Sequence, residues 1–400
     1  MKLLYVDCYH HYLNPTSALL PALVSAAAGQ VAFYGPGYSS TADLEQGIAA
    51  FVDKTGPYDA LMLGMQIPLF AWDEERLRRT MRHIERYTTF SSSRELVLPF
   101  SRDVLQNAGR LPVQRKIISL LNYDYYVTTK RHTDVFEGMD AYVITPGAQF
   151  APRLEELPEW AWSEKHFVRK RAMVSNAWNE YLLRNESRVI SLPHFVSDSE
   201  FSFRGLDDRK CRVSIPGVEY VMRRKGKSIL RERGIRPTAK PIFNFLRYAD
   251  RLGVRVFANN LAMALYHAGY RGNLIDTRLV YSAREGFGIP VRKFFEIPAA
   301  GSLLLCIPPH NFYELGFVDG EHYLEVSPDR LPDAIDAIER EPDRAQWIAS
   351  NGRKLVFDRH SFAARSSQLA ECFRAIEQDR FAGSYWSRGN FVVQTDVSAQ

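Results

Sequence analysis

Three short apolar runs, Leu3–Val6, Val31–Tyr34 and Ala60–Leu63, are each separated by about two dozen residues, and that spacing restricts the fold more than anything else in the chain. Strands joined by a tight turn run antiparallel, whereas strands joined by a helix-length crossover run parallel. The intervening residues have helical character. Asn14 stands as an N-cap before Pro15, Thr16–Ala28 carries an apolar face ending at Gly29, and Leu44–Val52 is amphipathic. The Gly35-Pro36-Gly37 turn stops the second run. The order strand–helix–strand–helix–strand predicts an α/β domain around a parallel sheet. Beyond a charged helix near Asp73–Tyr87, strand-like runs recur at Ile117–Leu121, Ala141–Ile144 and Val189–Leu192, and a long helix over Phe167–Leu183 precedes the last.

The texture then changes. Pro193–Asp208 is polar and irregular, as a linker would be. After it, Arg212–Ile215, Leu279–Ser282 and Ser302–Cys306 read as strands, and Gly226–Arg233, much of 241–278, Val291–Ala299, a segment from the Ser327-Pro328-Asp329 cap to Glu339, and Ser361–Gln378 read as helices. A chain of 400 residues, at roughly 150 residues per domain, accommodates a second α/β domain. The expected division is 1–200 and 209–375, with 376–400 as a tail packing back on the N-terminal domain.

Hydrophobic residues make up 46% of the chain, enough for two cores, so wholesale disorder is excluded. The net charge is +5, with its densest cluster at Arg223-Arg224-Lys225-Gly226-Lys227. That suits an anionic small ligand such as a nucleotide, or a transient visit to an acidic membrane surface, and is too dilute for a dedicated nucleic-acid binder. The four cysteines, Cys8, Cys211, Cys306 and Cys372, are far apart and form no C-x-x-C pair, so buried thiols are expected rather than a zinc ribbon or a disulfide framework. No histidine pair has metal-ligand spacing. No apolar run reaches the roughly 18 residues of a membrane span, and Met1–Asp7 reads as a strand rather than a signal peptide. The expected location is the cytoplasm, with peripheral contact at the inner face of the membrane as the limit.

Ligands of parallel α/β sheets bind beyond the carboxyl ends of strands, where loops enter helix N-termini. The segment 280–301 has that layout: a strand, a turn with Gly286 and Gly288, a helix start at Pro290–Val291, and Glu296 inside the helix. The glycines leave room for backbone N–H groups to approach an anion, to which the helix start adds positive potential. Arg292 and Lys293 oppose that potential unless a phosphate offsets them, and Glu296 has the two oxygens needed to accept a ribose diol. Any α/β protein contains strand–glycine turn–helix segments, and a helical Glu is commonly just solvated, so spacing alone leaves the nucleotide reading open.

The same residues carry a resemblance. Glu285-Gly286-Phe287-Gly288-Ile289-Pro290 followed by Glu296-Ile297-Pro298-Ala299-Ala300-Gly301 resembles the donor-site signature of group 1 glycosyltransferases of the GT-B fold. The run Pro290–Leu305 is closer still to the CgeB-like, spore-maturation-type branch. Glu314–Gly320 with Tyr323, Leu331–Glu339, Ile348–Gly352 and His360-Ser361 with Arg365 resemble that branch in order, as do Val213–Gly217 with Tyr220 and Arg223 upstream. In the N-terminal half, Phe33–Tyr38 is similar. The resemblance implies two Rossmann-like domains facing a cleft, with a nucleotide-sugar donor in the C-terminal one and a hydroxyl acceptor against the other. It implies that Glu296 holds the ribose and that the Glu285–Gly288 loop, Phe287 included, lies near the diphosphate and donor sugar. The interval from Glu285 to Glu296 is about one helical turn longer than the family's, which leaves the role of Glu285 open between a sugar contact, a loop-stabilising contact and none.

Other candidates follow from position. Gly217, Tyr220 and Arg223 stand at a strand end, where arginine suits bidentate phosphate contact, although a plain surface helix would look the same. Asp124, past the strand Ile117–Leu121, suits an acceptor hydroxyl or an oxocarbenium-like sugar, and reads more readily as a turn former or N-cap. His132 on the following helix and His10 and His11 in the first strand–helix loop are on the acceptor side. His194 reads as a hinge contact. Trp160, Trp162, Trp178 and Tyr181 fit aromatic packing better than a sugar platform. The expected activity is metal-independent transfer of a hexose-like sugar from a nucleotide-diphosphate donor, with retention implied by the resemblance, no permanently bound cofactor, and Asp124 and Glu285 as the catalytic candidates. A GT-B-fold sugar-nucleotide epimerase and a non-catalytic binding protein are the alternatives.

Overall fold

The computed structural model describes residues 1–9, 15–65, 67, 93–120, 130–147, 152–164, 174–217, 220–239, 241–254, 256, 259–284, 286 and 288–396. The strands of the first sheet are β1 (Lys2–Val6), β2 (Gln30–Tyr34), β3 (Ala60–Leu63), β4 (Arg115–Ser119), β5 (Tyr142–Thr145) and β6 (Val189–Ser191). They pair in parallel in the order β2-β1-β3-β4-β5-β6. Side chains alternate across a strand, and the apolar runs therefore feed two layers. Leu4, Val6, Leu61, Leu63, Ile118 and Val143 meet Val97, Phe100 and Val104 of the helix Ser93–Asn107. Leu3, Tyr5, Ala60, Met62, Ile117 and Ile144 meet Leu20, Leu23 and Val24 of the helix Pro15–Ala28. Burial on both faces explains why these strands are unbroken apolar runs.

The second sheet holds β7 (Cys211–Ser214), β8 (Thr277–Ala283), β9 (Leu303–Ile307) and β10 (Leu324–Glu325), parallel in the order β10-β9-β8-β7. Val280, Leu304 and Cys306 pack on Phe294, Phe295 and Ile297, and Val213, Leu279, Tyr281, Leu303 and Leu305 pack on Leu230, Leu331 and Ile335. The protein is thus a two-sheet, helix-covered α/β fold with two Rossmann-like parallel sheets.

The chain passes between the sheets twice, and the two passages are paired: Val196 N–H donates to His360 O at 3.2 Å and Phe362 N–H donates to Val196 O at 2.8 Å. After the second passage the helix Phe362–Glu377 lies on the first sheet, with Leu369, Cys372, Phe373 and Ile376 beside Leu3 and Tyr5. A hairpin of β11 (Phe381–Ser387) and β12 (Asn390–Thr395) follows, beyond the last element legible in the sequence. It caps β6, where Ser191 N–H donates to Ser384 Oγ at 2.9 Å and Trp386 Nε1 donates to Ser191 O at 3.3 Å.

Two expected helices differ. The long helix over Phe167–Leu183 does not run through 174–176: the helix is Ala177–Arg184, because Asn176 turns its side chain outward, accepting from Leu154 N–H at 3.0 Å and donating to Glu155 at 3.0 Å. The helix expected from Pro290 begins at Lys293, after Arg292 is pinned by contacts described below. The charged helix near Asp73–Tyr87 lies outside the described residues.

Candidate functional site

β7 ends in Ser214-Ile215-Pro216-Gly217, and Gly217 takes a positive φ of 93°, which is costly for any residue with a Cβ. A Cβ there would strike Lys293 Cε, with Lys293 Nζ 2.8 Å away and Arg223 Nη1 3.6 Å away. Two cations thus converge over a bare stretch of backbone at a strand's carboxyl end. Parallel pairing of β7 with β8 and the helix Lys293–Ala299 after β8 create this meeting. Arg223, almost wholly buried, is held by Nη2 donating to Ser282 Oγ and Ala283 O, both at 3.2 Å, and its guanidinium lies 5.0 Å from the centre of the Tyr220 ring. Lys293 Nζ lies 5.2 Å from the centre of the Tyr270 ring.

Glu296 is in the first turn of its helix and is buried. Tyr270 Oη donates to its Oε2 at 2.8 Å, and Arg292 Nη1 donates to its Oε1. Arg292 also donates to Glu200 Oε1 at 2.8 Å, reaching the segment that passes between the domains. Burial opposes ionisation of Glu296, but the charges of Arg292 and Lys293 and the Tyr270 hydroxyl outweigh it and hold the carboxyl below its usual range. Burial and the nearby carboxylate push the Tyr270 hydroxyl well up, so it remains a donor. A carboxylate has about four lone-pair sites, which leaves Glu296 capacity for further donors. In this structure the carboxylates of Glu200 and Glu296 offset the charge of Arg292.

The loop after β8 meets the N-terminal domain. A Cβ at Gly286 would come within 2.9 Å of Ala161 Cβ, and one at Gly288 within 3.2 Å of Pro152 Cγ. Both glycines therefore serve a close approach of the two domains, a use their spacing did not announce. Glu164, buried, accepts the Val221 N–H at 3.0 Å and so caps the helix Val221–Glu232 from the other domain. Beside these contacts is a pocket of about 290 Å³ lined by Pro152, Glu156 and Pro158 on one side and Arg284, Gly288 and His310 on the other. Burial lowers the pKa of both Arg284 and His310, and Arg284 adds to the effect on His310.

Of the expected donor contacts, the structure brings together Gly217, Tyr220, Arg223, Lys293 and Glu296, with Arg292 tied in behind and Gly286 and Gly288 at the domain contact. Asp124, Glu285, Phe287, His10 and His11 lie outside the described residues. His132 is carried by the helix Lys130–Glu137. His194 is buried on the first passage between the domains, where Arg365 donates to its carbonyl at 3.2 Å. Trp178 stacks on Phe136 at 5.8 Å and meets Tyr181 edge-on at 5.4 Å, as core packing. Sequence reasoning missed Glu200, Tyr270 and Glu164, whose partners are far away in the chain. It also missed Asp7, buried at the end of β1 where the strand order reverses; its signal was the polar residue that ends the run Leu3–Val6. Among the described residues, no group of three or more His, Cys, Asp or Glu is placed to hold a metal ion.

A family model described as glycosyl transferase-like matches residues 245–371, which include Lys293 and Glu296. The chain is similar in outline to Anabaena HepE, solved in complex with UDP-glucose, at 12% identity over 94% of this chain and 100% of that one, with a TM-score of 0.49. It is likewise similar to sucrose-phosphate synthase from Thermosynechococcus elongatus, at 11% identity over 95% and 100% with a TM-score of 0.47. A glycosyltransferase from Rickettsia africae gives 10% identity over 94% and 98% with a TM-score of 0.45. No curated protein matches the chain.

Proposed function

We propose that this chain is a glycosyltransferase of the GT-B group 1 type, allied to the CgeB-like branch, which binds a nucleotide-diphosphate sugar in its C-terminal domain and passes the sugar to a hydroxyl acceptor held against the N-terminal domain. The observation that carries the reading is the convergence of Lys293 and Arg223 over Gly217, beside the buried, ionised Glu296. A diphosphate laid on Gly217 meets two cations, and the ribose hydroxyls of the same nucleotide donate to Glu296. The glycosyl transferase-like match over 245–371 supports it.

In the transfer, the acceptor oxygen bonds to the anomeric carbon on the face from which the diphosphate departs, and passes its proton to the phosphate oxygen whose bond to that carbon breaks. The diphosphate leaves with the electron pair, and Lys293 and Arg223 stabilise its charge without reorganising at that moment. Asp124 and Glu285 remain the residues proposed at the reacting sugar, Tyr220, Gly286, Phe287, Gly288 and Arg292 complete the donor side, and His10, His11 and His132 lie on the acceptor side. The sequence has no Asp-x-Asp pair, and the proposed mechanism is metal-independent, retaining and hexosyl.

The test is a thermal-shift panel of UDP-, GDP-, TDP- and CMP-sugars, followed by turnover of the selected donor with and without EDTA. Selective stabilisation by one nucleotide sugar and EDTA-resistant release of its sugar are expected. Loss of turnover in EDTA, restored by Mn²⁺ or Mg²⁺, removes the metal-free mechanism. Isomerisation of the donor in place of sugar release makes the protein an epimerase, and binding of none removes the reading.

A further inference from the structure

The helices Pro241–Arg251 and Asn260–Ile275 pack on each other as a hairpin, and this hairpin is unusually apolar on the outside. Half of the fourteen large apolar side chains exposed among the described residues fall between 242 and 265. Phe245, Tyr248 and Leu252 follow at intervals of three and four and are 64%, 61% and 66% exposed, so they share one face. Val254 and Leu261, 56% and 69% exposed, extend the ridge around the hairpin's tip, and Leu265 continues it. Leaving such a ridge in water is unfavourable, and contiguous exposed apolar surface of this kind marks an interaction site.

The charge around it selects the occupant. Residues 221–255 contain eleven Lys and Arg against two Asp and Glu, a net of +9 in a chain whose total is +5. Arg224, Lys225, Arg231, Arg233 and Arg236, leading into the hairpin, are all exposed. A second copy of this chain meeting the patch symmetrically would set +9 against +9. A nucleic acid would satisfy the charge but offers its bases to aromatic rings, whereas most of the ridge is aliphatic. An anionic bilayer satisfies both features, because headgroup phosphates take the cations and the acyl boundary takes the ridge.

We propose that the 241–265 hairpin docks the protein on an anionic lipid surface, its apolar ridge entering the headgroup–acyl boundary and the exposed Arg224, Lys225, Arg231, Arg233 and Arg236 on the headgroups. The experiment is co-sedimentation of the full chain with phosphatidylcholine vesicles with and without phosphatidylglycerol, at low and high NaCl. Binding is expected only to the anionic vesicles and is expected to weaken with salt. The double variants Phe245→Ser/Leu252→Ser and Arg233→Glu/Arg236→Glu should each lower the partition coefficient about tenfold or more, with circular dichroism and melting unchanged because all four side chains are exposed. Failure to bind anionic vesicles, or equal binding by both variants, overturns the proposal. So does a dimer in light scattering that Phe245→Ser/Leu252→Ser abolishes, or patch-dependent retention of single-stranded RNA tighter than that of vesicles.

Discussion

Glu296 has two partners, which separates its structural role from its binding role. Replacing it with Ala leaves Arg292 to Glu200 alone, so stability should fall by about 1–3 kcal/mol. If the ribose also donates to Glu296, nucleotide affinity should fall about ten- to a hundredfold, and Glu296→Gln should lie between. Glu200→Gln loosens Arg292 from the other side and spares the oxygens offered to ribose, so it should lower the melting temperature with little change in affinity. Calorimetry well below each melting point reads the two effects apart, and equal affinity for Glu296→Ala and wild type would exclude the ribose contact. His194 carries a pH prediction. Burial, with Arg292 and Arg365 nearby, lowers its pKa to about 3, and His360 is lowered for the same first reason. The folded protein keeps both rings neutral while the unfolded chain protonates them near 6.5, so stability present above that pH is lost as pH falls towards 3. The slope is up to about 1.4 kcal/mol per pH unit for each histidine. Melting temperature against pH should therefore fall less steeply for His194→Asn than for wild type; identical slopes would show that His194 is already protonated in the folded state.

At the scale of elements, the turn after β7 does two things, and a second glycine tells them apart. Gly217 and Gly234 both have positive φ, but a Cβ at Gly234 meets nothing within 4 Å, whereas one at Gly217 lands on Lys293. Gly217→Ala and Gly234→Ala should each cost roughly 1–2 kcal/mol in backbone strain, and only Gly217→Ala should also weaken nucleotide binding, by about tenfold or more. Equal affinities for the two variants would place the phosphate elsewhere. Apart from the two-residue edge strand β10, the strands of both sheets were legible because buried parallel strands are written as apolar runs between turn residues, as Leu279–Ser282 and Ser302–Cys306 show. The start of the 293–299 helix was less so, since Arg292 is fixed by Glu200, ninety-two residues away, and no local pattern carries that. For the same reason Glu296 could be singled out by its place after a strand and a turn, while Tyr270, Glu164 and the convergence of Lys293 on Gly217 could not. The β11–β12 hairpin went unread because its partners are far away in the chain: Ser384 meets Ser191, Trp386 packs against His360, and Gly389 N–H donates to Glu314 O.

The whole molecule is two layered domains joined by two adjacent passages and touching again at the far side, where Ala161, Pro152 and Glu164 meet Gly286, Gly288 and Val221. Excluding water from an activated sugar requires such closure, and release of the nucleotide requires it to open. Ala161 is suited to test this, because it lies in the N-terminal domain and its Cβ faces Gly286 across the contact. Enlarging it forces apart a contact that already admits no Cβ on the other side. Ala161→Leu should cost about 1–3 kcal/mol through overpacking and hold the domains ajar. The donor groups on Gly217, Lys293, Arg223 and Glu296 are untouched, so nucleotide affinity should stay within about twofold of wild type. Turnover of the nucleotide sugar should drop about tenfold or more, since the reacting groups no longer reach contact geometry, and the radius of gyration from small-angle scattering should rise. Ala161→Gly, which only removes a methyl group, should turn over like wild type. Unchanged turnover in Ala161→Leu would mean that the contact seen here is not the working closure, whereas a parallel loss of nucleotide affinity would mean that the N-terminal domain holds part of the nucleotide itself.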